Sequence, residues 1–93
     1  VLGAGHAIGA HDSRDWVGEL HVPTVVITTS DDRFVPTARQ LALGRLIPGA
    51  VIDVVRGGHD VCLRHPRTLA RAVERACGHL LGVAQQPAPV VAA

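Results

Sequence analysis

Two apolar runs organise the chain. Residues 23–29 (PTVVITT) are β-branched almost throughout and show no polar–apolar alternation at their centre. Such a run predicts a strand covered on both faces, as in a parallel sheet. Residues 50–55 (AVIDVV) predict a second strand. Between them Ala38, Leu41, Ala42 and Leu46 fall on one stripe and predict a helix over 36–47. Pro36 suits its first turn, and Pro48-Gly49 turns the chain afterwards. Leu69, Val73, Ala76, Cys77 and Leu80 predict the buried face of a longer helix over 66–81. Ahead of the first strand, Asp12-Ser13 offers a cap for a short helix over 14–20. Trp16 and Leu20 would share one face of it.

Strand–helix–strand with a short connection is a βαβ unit, and its strands run parallel. Two parallel strands do not make a self-sufficient sheet, because such sheets need neighbours and cover. The chain also contains no Met. Both observations lead us to expect a piece of a larger α/β protein. Residues 1–11 are small and Gly-rich, expected as a loop or the end of a preceding region. Residues 82–93 carry no charge and two prolines, expected as a disordered tail.

Composition narrows the classes. At 47% hydrophobic and 18% charged residues the chain is globular rather than disordered. Trp16 and Phe34 are its only aromatic residues, so its core rests on many small aliphatic contacts. Net charge is +1 and the arginines are scattered among acids, which leaves no footprint for nucleic acid or an anionic membrane. No apolar run approaches the ~20 residues needed to span a bilayer. Two cysteines, Cys62 and Cys77, make no disulfide framework. They are expected reduced, with Cys77 on a buried helix face and Cys62 packed inward. A cytoplasmic location follows as an expectation.

Ligands of open α/β sheets bind beyond the C-terminal strand ends. Two polar loops belong there: Ser30-Asp31-Asp32-Arg33 after the first strand, and Arg56-Gly57-Gly58-His59-Asp60 after the second. Adjacent strands lie ~4.8 Å apart, so a carboxylate from one loop reaches an imidazole from the other. A carboxylate on one ring nitrogen fixes the tautomer and stabilises the ring when it takes a proton. Gly57 and Gly58 are expected to adopt positive φ and set His59 at the loop tip.

The stretches VPTVVITTSDDRFVP and LIPGAVIDVVRGGHDVCLRHP resemble the end of an α/β-hydrolase. The resemblance covers residues 12–81. It implies the C-terminal βαβα segment of a mostly parallel sheet. On its pattern Asp32, followed four residues later by Pro36, matches the triad acid, and His59 matches the general base. The family order of nucleophile, acid, histidine agrees with acid before histidine here. Trp16 with GELHVP also resembles the segment by which a cap region returns to the core. The resemblance implies a serine-type hydrolase of carboxylic esters or thioesters, with a small-molecule ester as substrate and the upstream part of the same fold as its structural partner. No cofactor or metal is implied.

Thr29 stands where the family usually has Gly. No Gly-x-Ser-x-Gly elbow exists, and the only serines are Ser13 and Ser30. Neither has a nucleophile's setting, so this chain is not expected to be active alone. The alternatives are a non-catalytic α/β interaction module and a hydrolase that has lost its nucleophile. His59, Cys62 and His65 are spaced H-x2-C-x2-H, but a zinc site needs a further ligand or a supported open position, and none is evident. Asp31 is expected to be a turn residue and Asp12 a helix cap. His79 is expected near a helix C-terminus, where a cation suits the dipole. His6, His11 and His21 have no nameable partners.

Overall fold

The computed structural model describes residue 7 and residues 10–86. The expectations for most of residues 1–11, His6 included, and for residues 87–93 lie outside the described residues. The described part is α/β: a two-stranded parallel sheet with helices. Strand β1 (Val25–Thr29) is followed by helix α1 (Thr37–Leu46), strand β2 (Val51–Val55), the single-turn helix α2 (Val61–Arg64) and helix α3 (Pro66–Ala84). The strands pair in parallel, from Val25 opposite Val51 to Thr29 opposite Val55. Their C-terminal ends are thus level, and the two loops that follow start side by side.

The helices cover opposite faces. A side chain at Gly44 of α1 would meet Ile52 Cδ1 at 2.9 Å and Val26 Cβ at 3.7 Å, so α1 lies on the Val26–Ile52 face. Asp53, one residue on and therefore on the other face, pairs with Arg75 of α3 at 3.0 Å. Gly44 lets α1 approach the sheet closely, and this sets its rotation. Thr37, Gln40, Leu41 and Gly44 turn inward, whereas Ala38, Ala42 and Leu46 are exposed. Of the stripe expected from hydrophobicity only Leu41 faces the sheet. Thr37 and Gln40 replace the rest because their polar groups find partners at the end of β1.

Helix α3 differs in the same way. Ala72 is fully buried, and Thr68, Leu69, Ala76, Leu80 and Val83 are half-buried around it. Val73 and Cys77, expected inside, are exposed. The small Ala72 side chain admits the sheet where a larger one would hold it off. The helix continues past Gly82 to Ala84, so the expected stop at 81 is three residues early. Cys62 also lies on the surface, contrary to expectation, and both thiols are free. Helix α2 was not foreseen. His65 leaves the helical region at φ −135°, ψ 61°, since Pro66 disfavours helix in the residue before it, and this separates α2 from α3.

The short helix expected over 14–20 is only a 3-10 turn at Val17–Glu19. Segments this short do not sustain an α-helix unaided. The Asp12 carboxylate is occupied by Arg14, accepting from its backbone N–H at 3.0 Å and from its guanidinium, and does not cap a helix. Val17 is buried where Trp16 and Leu20 were expected to share a covered face, and Trp16 is half exposed.

Apolar residues buried among the described ones are Val17, Ile47, Val55, Val61 and Ala72. Trp16, Val22, Phe34, Val54, Leu63 and Leu81 stay largely exposed. No helix among the described residues is long and apolar enough to cross a membrane.

Candidate active site

The ladder between the strands continues into the loops. Ser30 N–H donates to Val55 C=O at 2.9 Å, and Asp31 N–H donates to Gly57 C=O at 2.9 Å. Gly57 N–H in turn donates to Ser30 Oγ at 3.2 Å. These bonds zip the loop after β1 to the loop after β2. Gly57 takes φ 144°, a conformation that favours glycine. Gly58 does not have positive φ. It serves by its size, since a Cβ there would sit 3.3 Å from Asp31 C=O. The expected use of positive φ therefore holds for Gly57 alone.

Zipping the loops brings Asp32 to His59. Asp32 Oδ2 lies 3.1 Å from His59 Nδ1. The carboxylate is nearly enclosed, its side chain 5% exposed, while the imidazole is 57% exposed. Asp32 makes four further contacts. Oδ1 accepts the backbone N–H groups of Phe34 at 2.9 Å and Val35 at 2.8 Å. Oδ2 also accepts Thr29 Oγ1–H at 3.1 Å, and Gln40 Nε2 approaches it at 3.3 Å. The Val35 amide, with the His59 ring, the Phe34 amide and the Thr29 hydroxyl, holds the Asp32 carboxyl below its usual range despite desolvation. Asp32 is therefore anionic at neutral pH, and an anion can only accept. That assigns the proton of a neutral His59 ring to Nδ1 and leaves the lone pair on Nε2.

Beside the ring stands Phe34, with centroids 5.3 Å apart and planes tilted by 54°. Phe34 as a residue is 82% exposed. Phe34 and His59 line an open hollow of about 460 Å³ together with Arg33, Asp60 and Arg64. Arg64 at the end of α2 pairs with Asp60, the residue that precedes the helix, at 2.8 Å.

Asp31, one residue from Asp32, accepts the Ser30 hydroxyl at 3.1 Å and borders the same hollow. Ser30 is thereby committed to the loop junction, with its Oγ bonded to both Gly57 and Asp31. Among the described residues no group of three His, Cys, Asp or Glu side chains is arranged to hold a metal ion. His79 lies exposed on α3, and His11 and His21 are exposed as well.

Two residues of the site escaped the sequence reading. Thr29 registered only as a departure from glycine, yet its hydroxyl bonds Asp32. Gln40 drew no attention, yet its carboxamide joins the end of β1 to the acid loop. The available signal was a long polar side chain one turn after Pro36, at a spacing that returns it toward the strand end.

No protein-family model matches the chain, and no curated protein matches it significantly.

Proposed function

We propose that residues 12–81 are the C-terminal βαβα part of an α/β-hydrolase sheet, supplying the acid and general base of a hydrolase of carboxylic esters or thioesters. The contact between Asp32 Oδ2 and His59 Nδ1, formed beyond the C-terminal ends of neighbouring parallel strands, carries this reading. The exposed apolar residues and the two-stranded sheet support the upstream part of the same fold as its structural partner. The free thiols favour a cytoplasmic location.

In this reaction a nucleophile from the upstream part, most simply a serine, attacks the carbonyl carbon of the ester. His59 Nε2 takes the nucleophile's proton as the new bond forms. Asp32 keeps the Nδ1–H in place and stabilises the imidazolium. The ring then returns the proton to the departing alcohol or thiol, leaving an acyl-enzyme. Water attacks next, and Nε2 accepts its proton and gives it to the released nucleophile. The half-exposed ring faces the hollow beside Phe34, where a small-molecule ester reaches it.

An acid–imidazole pair activates a nucleophile and does not replace one. The 93-residue chain by itself is expected to hydrolyse p-nitrophenyl acetate no faster than free imidazole at equal concentration. A rate well above that, lost on substituting Ser13, Ser30 or Cys62, contradicts the proposal by placing a nucleophile within these residues.

A further inference from the structure

Among the polar residues around the site, Gln40 makes contacts that exceed what a helix residue needs. Its Oε1 accepts the backbone N–H of Thr29, the last residue of β1, at 2.9 Å. Its Nε2 donates to Val35 C=O at 2.8 Å and to Thr29 Oγ1 at 2.9 Å, and approaches Asp32 Oδ2 at 3.3 Å. One carboxamide thus joins the strand end, the acid and the far side of the acid loop. Thr37, one turn earlier on α1, donates to Thr29 C=O at 2.6 Å and fixes the same strand end.

We infer that Gln40 is a positioning residue for Asp32, acting through the Thr29 hydroxyl and through Val35. This rests on the reading of Asp32 and His59 as an acid–base pair. Two backbone amides hold Asp32 Oδ1 but leave the carboxylate plane free to rotate about that anchor. Oδ2 must be held separately if it is to stay on His59 Nδ1. Thr29 Oγ1 holds it, provided the hydroxyl proton points at Asp32. A hydroxyl has one proton, and rotation about its C–O bond would let that proton turn elsewhere. Gln40 Nε2 prevents this by donating to the same oxygen, which directs the hydroxyl proton toward Asp32. Its Oε1 is turned to the backbone, where it accepts the Thr29 N–H. The second Nε2 proton ties down Val35, whose own N–H holds Asp32 Oδ1. The carboxylate is therefore held at both oxygens by groups that Gln40 orients.

The test uses the intact protein that carries the nucleophile. Gln40→Leu is expected to lower kcat by roughly 10- to 100-fold with KM within about twofold, the scale expected for a misplaced catalytic group. The low-field proton resonance of His59 Nδ1–H should broaden or shift. Thr29→Val is expected to act in the same direction. The double variant should lose less than the product of the two single losses, because each residue acts through the other. Gln40→Glu keeps the length of the side chain and its acceptor for Thr29 N–H. It separates loss of the donor from loss of the fold, and it should lower kcat at least as far as Gln40→Leu. Folded Gln40 variants with unchanged kcat and an unchanged His59 resonance overturn the inference, as does a strictly multiplicative double variant. If Asp32→Asn is itself without effect, the acid–base reading fails. If Asp32→Asn is severe and Gln40→Glu is silent, only the role of Gln40 fails.

Discussion

Replacing His59 by alanine in the intact protein is expected to lower kcat by about five to six orders of magnitude, the scale seen when a triad histidine is removed. The size of the loss follows from the ring's double use. In the proposed reaction Nε2 removes a proton from the nucleophile and later delivers it to the leaving group. The fold should survive the change. His59 is more than half exposed, and the loop junction around it is held by Ser30, Asp31 and Gly57. A melting curve close to that of the wild type, measured beside kcat, separates a lost base from a lost structure.

The second large effect is expected at Asp32. Asp32→Asn lowers kcat by about 10⁴-fold, through the tautomer. The asparagine oxygen still accepts the Phe34 and Val35 amides at the Oδ1 position. Its NH₂ then occupies the Oδ2 position, where it donates to His59 Nδ1 instead of accepting from it. The ring proton moves to Nε2, and the lone pair that should take the nucleophile's proton disappears. Asp31→Asn removes an exposed carboxylate whose contact is the Ser30 hydroxyl, so kcat should stay within a few fold. Comparing kcat for the two asparagine variants distinguishes adjacent carboxylates that look alike in sequence. Equal losses at both positions would remove the assignment of Asp32 as the acid.

Much of the frame was legible because it depends on backbone chemistry. The β-branched run at 25–29 and the turn at Pro48-Gly49 placed β1 and β2, and a short βαβ connection requires parallel strands. Their level ends then make the two polar loops neighbours, which is why Asp32 and His59 meet. Side-chain orientation was less legible. A hydrophobic stripe assumes that inward positions are apolar, but Thr37 and Gln40 face inward because their hydrogen bonds are satisfied at the strand end. The small residues Gly44 and Ala72, which carry little hydrophobic signal, decide how α1 and α3 rotate against the sheet. The turn at Val17–Glu19 was misread for another reason. Its sequence carries helix signals, but Asp12 is engaged by Arg14 and the segment is too short to form a helix unaided. Conformational need and space also look alike in a Gly-Gly pair, so the separate requirements at Gly57 and Gly58 emerge only from the loop geometry.

The measurement that bears most directly on the central claim is phosphonylation of the intact protein by a reactive p-nitrophenyl phosphonate ester, with the adduct located by mass spectrometry and its rate of formation followed. The reagent needs a serine nucleophile and a base to take its proton, as the substrate does, but the covalent product stays in place. One adduct per chain is expected, on a serine upstream of these 93 residues, formed far more slowly in His59→Ala and Asp32→Asn and at a near-normal rate in Asp31→Asn. An adduct on Ser13 or Ser30, or undiminished labelling in His59→Ala, would contradict the central claim.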